Sequence, residues 1–185
     1  GTIVAPNKPT TKAPALTLNT DDHFAFINGY PDVSVQPEGN VNRAETAAIL
    51  YRIMGDACQS YYKTNSSSYS DVARGDWYNT YVATLENAGV IVDNRTNGKF
   101  RPNDARLGWI IGFPAGSFRL GRNVTRAELM AMVNRALGRT PKSADDLLSG
   151  MKTWRDNANV NAWYYLDVQE ATNDHTYTKS GTHET

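Results

Sequence analysis

The chain has 185 residues, with 19 Lys and Arg residues against 19 Asp and Glu residues and a single cysteine, Cys58. A net charge of zero gives no general attraction to nucleic acid or to an anionic membrane, so any recognition of anions must be local. One cysteine excludes an intrachain disulfide and a multi-cysteine metal site. The apolar stretches are far shorter than the roughly 20 residues that cross a bilayer, so we expect no membrane insertion.

The N-terminal segment has the composition of a tether. Residues 1–17 mix Pro, Thr and Lys with little periodic apolar content, which is typical of an extended linker. We predict a linker over 1–17, a folded domain over 18–178 and a tail over 179–185. Because the chain begins with Gly1 and not with Met, we expect it to be part of a longer protein.

The strongest signal in the sequence is an internal repeat. The segment 29–55 aligns without a gap on the segment 112–138, and 11 of the 27 positions are identical. Each copy opens with Gly-aromatic-Pro, which is typical of a turn, and continues through an irregular loop into a helical pattern. We therefore predict two copies of one loop-helix unit.

Both copies carry a helix-start signal. A good N-cap residue stands three positions before a glutamate, as Asn42 before Glu45 and as Thr125 before Glu128. In this capping box the cap side chain accepts from the third helical amide, and the glutamate reaches back to the cap amide. Two helices are therefore expected to begin here. The glycines that close the units are the expected helix stops: Gly55 and Gly138.

A second unit also occurs twice, over 69–89 and 154–173. Both copies begin aromatic-x-Asp-x-Ala and place a Trp-Tyr pair at the head of a helical pattern, with Trp77 in one and Trp163 in the other. Each tryptophan fits two interpretations, an anchor in the core or a platform for a sugar ring. A shorter trace, GKFRPN at 98–103, resembles only the turn before a helix.

The repeated arginines, Arg43 and Arg126, follow directly after the helix caps. The macrodipole disfavours a cation in the first turn of a helix, so capping does not explain them. An arginine beside free amides at a helix start can bind a carboxylate or a phosphate. The alternative is a salt bridge to a carboxylate of a neighbouring unit, and the residues alone leave both open.

Nothing in the sequence favours catalysis. The three histidines, His23, His175 and His183, lie toward the ends without metal-ligand spacing, and no nucleophile-elbow pattern occurs. The repeated glutamates already have capping roles. We expect no enzyme activity, no metal and no cofactor; a pair of acids brought together in space, as in glycosidases, is the alternative that stays open.

At these motifs the chain resembles the S-layer homology family. The family hallmarks stand here as Asp-Trp-Tyr at 76–78, Gly-Tyr-Pro-Asp at 29–32 and Thr-Arg-Ala-Glu at 125–128, and the resemblance covers roughly 18–177. It implies an all-α fold, in which tandem helix-loop-helix repeats pack as a compact pseudo-symmetric helical bundle. The Trp helices and loop-helix units described above would be its parts.

The resemblance also implies a function. The family anchors bacterial surface proteins, without catalysis, to secondary cell-wall polysaccharide, and commonly recognises a pyruvylated amino sugar whose carboxylate would meet the motif arginine. The chain would then be an extracellular part of a larger surface protein at the bacterial cell wall, with a polysaccharide and not a nucleic acid as its partner. The implied glycan contacts are Arg43, Arg126, Gly29, Tyr30, Asp32, Gly112, Phe113, Trp77 and Trp163.

The chain departs from the family pattern in ways that predict its closure. Asn42 replaces the usual Thr and preserves capping, whereas Ala115 and Leu120 replace the usual Asp and Pro of the second loop. The second half of one unit and the first half of the next are missing. We expect the C-terminal helix near Trp163 to complete the N-terminal unit that begins at His23. A structural or protein-interaction domain without glycan binding is the alternative function.

Overall fold

The computed structural model describes residues 12–91, 98–105, 123–139, 141–177, 179–180 and 183–184. The helices within these ranges are α1 (Arg43–Ile53), α2 (Asp56–Tyr62), α3 (Asn79–Asn87), α4 (Arg126–Leu137), α5 (Tyr165–Thr172) and one 3-10 turn (Ala144–Asp146). Two short antiparallel strands, β1 (Lys179–Ser180) and β2 (His183–Glu184), pair Lys179 with Glu184 and Ser180 with His183.

The predicted helical class is confirmed, and the strand pair was not predicted. In the described part of the chain, no helix has the length and apolar character needed to span a membrane. The division into linker, domain and tail and the bundle of tandem repeats stay predictions.

The two helix starts form as predicted. The Asn42 side chain accepts from the Glu45 amide (2.8 Å), and the Asn42 amide donates to Oε2 of Glu45 (3.0 Å). Thr125 and Glu128 make the same two bonds at α4, at 3.1 and 2.9 Å. Both capping boxes are therefore complete, and they place the repeated arginines at the first helical position.

The predicted helix stops differ in outcome. Gly138 ends α4 in the left-handed conformation (φ 73°), as expected. α1 also stops directly before Gly55, with Met54 as its C-cap, but Gly55 has φ −60° and is the N-cap of α2. The reason is a close approach of the N-terminal segment: the Gly55 amide donates to the carbonyl of Thr17 (2.9 Å), and a Cβ at position 55 would lie 2.5 Å from Oγ1 of Thr17.

The helices pack in two pairs, α1 on α3 and α4 on α5. One connected core joins the pairs, and burial of each large apolar side chain stabilises the fold by about 1.5–3 kcal/mol. The largest fully buried apolar side chains are Phe26, Phe100, Leu50, Met54, Leu85, Leu129, Met130, Leu137, Val35 and Val41.

The two ends of the described domain pack against each other. The Ile27 amide donates to the carbonyl of Ala171 at the end of α5 (3.0 Å), and the His175 amide donates to the carbonyl of His23 (3.0 Å). Phe26, between them, is fully buried. These contacts confirm that the two ends pack together, while α5 itself packs on α4; that the C-terminal helix completes the N-terminal repeat unit stays a prediction.

Each repeated helix start is held by a loop that is remote in the chain. The first two amides of α1 donate to the carbonyls of Asp104 and Pro102 (2.9 and 3.0 Å). The first two amides of α4 donate in the same way to Gly39 and Pro37 (2.8 Å each). The loop around the GKFRPN segment (98–103) therefore supplies the carbonyl acceptors for the start of α1, and the loop of the first unit supplies them for the start of α4.

One aspartate of each Trp-helix unit holds one of these loops. Asp71 accepts from the amides of Phe100 and Arg101 (2.6 and 2.8 Å), and Asp156 accepts from the amide of Gln36 (2.8 Å). Arg101 and Gln36 both adopt positive φ, at 57° and 49°. The aspartate of the aromatic-x-Asp-x-Ala pattern thus fixes a tight loop that lies far away in the sequence.

Candidate functional site

A groove of about 230 Å³ lies between α1, the start of α4 and the tryptophan that precedes α3. Aromatic, cationic and acidic side chains share its wall, which is a composition suited to a polar ligand with a flat face. The lining residues are Ile27, Asn28, Tyr30, Glu45, Ala48, Ile49, Arg52, Trp77 and Arg126.

Arg126 reaches the groove from the first turn of α4. Its Nε donates to the carbonyl of Val35 (2.8 Å), and its Nη2 donates to the carbonyl of Asn28 (3.0 Å). Nη1 lies 3.5 Å from Oε1 of Glu45, and the guanidinium lies 5.0 Å above the Tyr30 ring. These contacts offset the unfavourable helix dipole. Of the two alternatives left open for the repeated arginines, the salt bridge to a neighbouring unit forms at Arg126, which also lines the groove.

Glu45 has a second role that the capping pattern did not predict. While Oε2 completes the capping box, Oε1 accepts from the hydroxyl of Tyr30 (3.1 Å). Burial raises the pKa of Tyr30 above its ordinary value of 10.0, so the hydroxyl keeps its proton at neutral pH. Tyr30 is therefore a fixed donor at the groove wall, held by the same carboxylate that faces Arg126.

Arg52 is a groove residue that the sequence analysis missed. Its Nη1 donates to the carbonyl of Phe26 (3.0 Å), which holds the side chain against the groove. Two signals could have found it: arginine is identical in both repeats at this position, and it stands seven residues after Glu45, on the same face of the helix. Arg52 adds a second cation beside Arg126.

Both tryptophans are exposed, Trp77 by 60% and Trp163 by 62%. The core-anchor interpretation is therefore wrong for both. Each indole meets the following tyrosine edge to face at 5.4 Å, Tyr78 in one unit and Tyr164 in the other. Only Trp77 lines the groove. The structure thus unites Trp77 with Arg126 and leaves Trp163 on another part of the surface.

The other predicted arginine has a different environment. Arg43 is 7% exposed, its Nε donates to the carbonyl of Phe100 (2.5 Å), and its guanidinium lies 4.8 Å above the Phe100 ring. Arg43 does not line the groove around Trp77. The hydrogen bond from Nε of Arg43 to the Phe100 carbonyl matches the one from Nε of Arg126 to the Val35 carbonyl. Both copies of the arginine therefore hold a loop against the start of a helix.

Two predicted contacts in the first loop have structural roles. A Cβ at Gly29 would lie 1.9 Å from Cζ3 of Trp154, so only glycine fits beneath this ring. Asp32 accepts from the hydroxyl of Ser34 (2.6 Å), which lowers the pKa of Asp32, and it pairs with Arg155 at the surface. Neither residue lines the groove. Two more predicted contacts lie outside the described residues: Gly112 and Phe113.

A comparison with protein families finds the S-layer homology domain, which matches residues 25–47 and 68–105. The first segment contains the groove residues Ile27, Asn28, Tyr30 and Glu45, and the second contains Trp77. Five residues of the groove therefore lie in sequence that matches this domain.

Several relatives are surface proteins. "Cell surface glycoprotein 1" of Acetivibrio thermocellus is 26% identical over 84% of this chain and 9% of its own length. "Cellulosome-anchoring protein" of the same organism is 28% identical over 82% of this chain and 28% of its own length. "Surface layer protein" of Brevibacillus choshinensis is 25% identical over 71% of this chain and 11% of its own length.

This chain spans less than a third of each of these three relatives, which are much longer proteins. Their names and the matched domain indicate a cell-surface or cell-wall location. The S-layer homology domain matches two segments of the chain, and the resemblance seen in its motifs is confirmed.

Proposed function

We propose that the chain is a non-catalytic module that anchors a larger bacterial surface protein to the cell wall, and that the groove around Arg126 and Trp77 binds the wall glycan. The observation that supports this most is the meeting of an exposed indole with two guanidinium groups in one groove. The S-layer homology match and the relatives named as surface and anchoring proteins support the same function.

The charge of the groove favours an acidic sugar. Arg52 and Arg126 bring two positive charges, and Glu45 brings one negative charge, so the wall carries a net positive charge within a chain of net charge zero. Hydrogen bonds between charged groups contribute about 1.5–3 kcal/mol when water is excluded. The ligand that fits is a pyruvylated amino sugar of the secondary cell-wall polysaccharide, with its carboxylate toward the arginines and its ring against Trp77.

The test is co-sedimentation with purified wall sacculi, before and after the secondary polysaccharide is stripped. We expect wild type to bind intact sacculi and to lose binding after stripping. Arg52→Ala should weaken binding about tenfold, whereas Arg135→Ala, at the same repeat position on the exposed face of α4, should change it by less than about twofold. Binding that survives stripping would contradict the proposal.

The alternative is a structural or protein-interaction domain that does not bind glycan. One observation favours it: the Nε atoms of Arg43 and Arg126 both donate to loop carbonyls, so packing alone gives the repeated arginine a role. Under this alternative, wild type would not co-sediment with intact sacculi at all. Release of reducing sugar during the incubation would instead support an enzyme.

A further inference from the structure

Two histidines that are far apart in the sequence meet on one glutamate, where the ends of the domain pack together. Nδ1 of His23 lies 3.1 Å from Nε2 of His175, across 152 positions of chain. Each nitrogen also lies 3.1 Å from one oxygen of Glu170, His23 from Oε1 and His175 from Oε2. The side chains are almost completely buried, with 0% of His23, 3% of Glu170 and 8% of His175 exposed.

We propose that His23, Glu170 and His175 form a binding site for one divalent transition-metal ion, with zinc as the best fit. In a tetrahedral site with bonds of about 2.0–2.1 Å, neighbouring ligand atoms lie about 3.3 Å apart, close to the separations found here. Two imidazoles with one carboxylate are typical zinc ligands and are unlike the all-oxygen sets of calcium and magnesium.

The surroundings hold the ligand atoms in place. Nδ1 of His175 lies 3.1 Å from the carbonyl oxygen of Asn173, which accepts from this nitrogen when it carries the ring proton. In that neutral form the lone pair of Nε2 faces the cluster, which is the usual outer-shell arrangement of a metal-binding histidine. The Tyr177 ring stacks on the His23 ring, with centroids 3.7 Å apart and planes 21° apart, and fixes its orientation.

One oxygen of the cluster is held by a single close contact. Oε1 of Glu170 is buried, and its neighbour within the described ranges is Nδ1 of His23 at 3.1 Å, a contact that lacks the geometry of a hydrogen bond. A buried carboxylate oxygen without a hydrogen bond is costly, and an ion between the three side chains would satisfy it. A small cavity of about 10 Å³ borders Glu170 and His175, which is about the space that one water molecule needs as a fourth ligand.

The nearby charges allow a cation. Arg139 is the opposing positive group, but its guanidinium is directed at backbone, donating to the carbonyls of Phe24 (2.9 Å) and Asp22 (2.5 Å). Glu170 supplies one negative charge to the ion. Since the ligands come from the N-terminal segment, from α5 and from the segment after α5, a bound ion would hold the ends of the domain together.

The test uses the full 185-residue chain after treatment with EDTA and dialysis. Titration with Zn²⁺, followed by calorimetry at pH 7.5, should show one saturable site. At a free Zn²⁺ concentration of 100 times Kd, the Tm should rise by about 5–10 °C, because the ion binds only the closed fold. Absence of saturable Zn²⁺ binding to the wild-type chain would overturn the proposal.

The variants assign the site. Glu170→Gln and His175→Gln should each weaken Zn²⁺ binding at least tenfold, whereas Glu38→Gln, an exposed glutamate, should bind like wild type. Far-UV circular dichroism checks that each variant is folded. Equal Zn²⁺ affinity in folded Glu170→Gln and wild type would place the ion elsewhere and contradict the assignment.

If both variants unfold, the test is a titration of the wild-type chain with Co²⁺, followed by visible absorption. A visible spectrum of the tetrahedral nitrogen-ligand type that saturates at one equivalent, and that Zn²⁺ abolishes, would support the site. An unchanged Co²⁺ spectrum would overturn it. These readouts are independent of wall binding, so failure of the metal site and failure of glycan binding are separate results.

Discussion

The α1–α3 pair and the α4–α5 pair begin alike and differ where their helices meet. In both pairs a capping box starts one helix and an exposed tryptophan precedes the other. At equivalent positions of the interface, Tyr51 meets Tyr81 through their rings (5.1 Å), whereas Asn134 donates its amide to Oδ1 of Asp167 (3.1 Å). The repeat therefore preserves the local starts of the helices and not the chemistry between them.

The groove lies mainly on one of the two helix pairs. It is on the side of α1, where Arg52 and Trp77 lie near Arg126 from the other pair. Arg126 arrives there because α4 begins against the loop of the first unit. A site of this kind depends on which unit stands beside which.

Removal of the aromatic pair should have the largest effect on stability. Tyr51→Ala deletes a half-buried ring and its contact with Tyr81, so we expect a loss of about 2 kcal/mol and a Tm lower by about 4–8 °C. Tyr51→Phe keeps the ring and should stay within about 0.5 kcal/mol of wild type. Thermal unfolding of the three chains measures this. If Tyr51→Phe loses as much as Tyr51→Ala, the ring contact is not the cause.

The second prediction compares the two exposed tryptophans. Trp77→Ala should weaken binding to intact sacculi about tenfold, because it removes the flat face beside Arg126. Trp163→Ala removes an equally exposed indole outside the groove and should change binding by less than about twofold. Binding isotherms from co-sedimentation give both values. An equal loss in the two variants would show that the surfaces of both pairs take part in binding.

The sequence predicted what short segments encode. The capping boxes and the Trp-Tyr heads formed as expected, because each depends on residues within a few positions. The first helix also stopped before Gly55, but the conformation of Gly55 depends on the approach of Thr17, which is remote in the sequence. The meeting of His23 with His175 had no local signal, because it arises only when the chain closes. Arg52 had a signal in the repeat, but its place in the groove depends on Arg126 of the neighbouring unit.

A third prediction tests the local equivalence of the two helix starts. Asn42→Ala and Thr125→Ala each remove the side chain that accepts from the third helical amide. We expect each to destabilise the chain by about 1 kcal/mol. Asn42→Ser and Thr125→Ser keep an acceptor, so each should lower the free energy of unfolding by only a few tenths of about 1 kcal/mol. Chemical denaturation measures all four, and a difference of more than about 1 kcal/mol between the two alanine variants would break the equivalence.

The smallest effect concerns the polar pair of α4 and α5. Burial raises the pKa of Asp167 above 3.8, against the opposing hydrogen bond from Asn134. A raised pKa in the folded state means that this group favours folding most below pH 3.8, and that this contribution is lost as the pH rises through the folded value. Asp167→Asn keeps the shape without the charge. It should match wild type near pH 3.5 and be slightly more stable at pH 7.

Asp146 provides a control of opposite sign. Backbone hydrogen bonds from Ser143 and Lys142 lower its pKa below 3.8, so its carboxylate favours folding above pH 3.8 and loses this effect as the pH falls through the folded value. Asp146→Asn should therefore be slightly less stable than wild type at pH 7 and equal to it at low pH. Urea unfolding at a series of pH values measures both variants. Deviations of the same sign would mean that burial does not set the ionisation of Asp167.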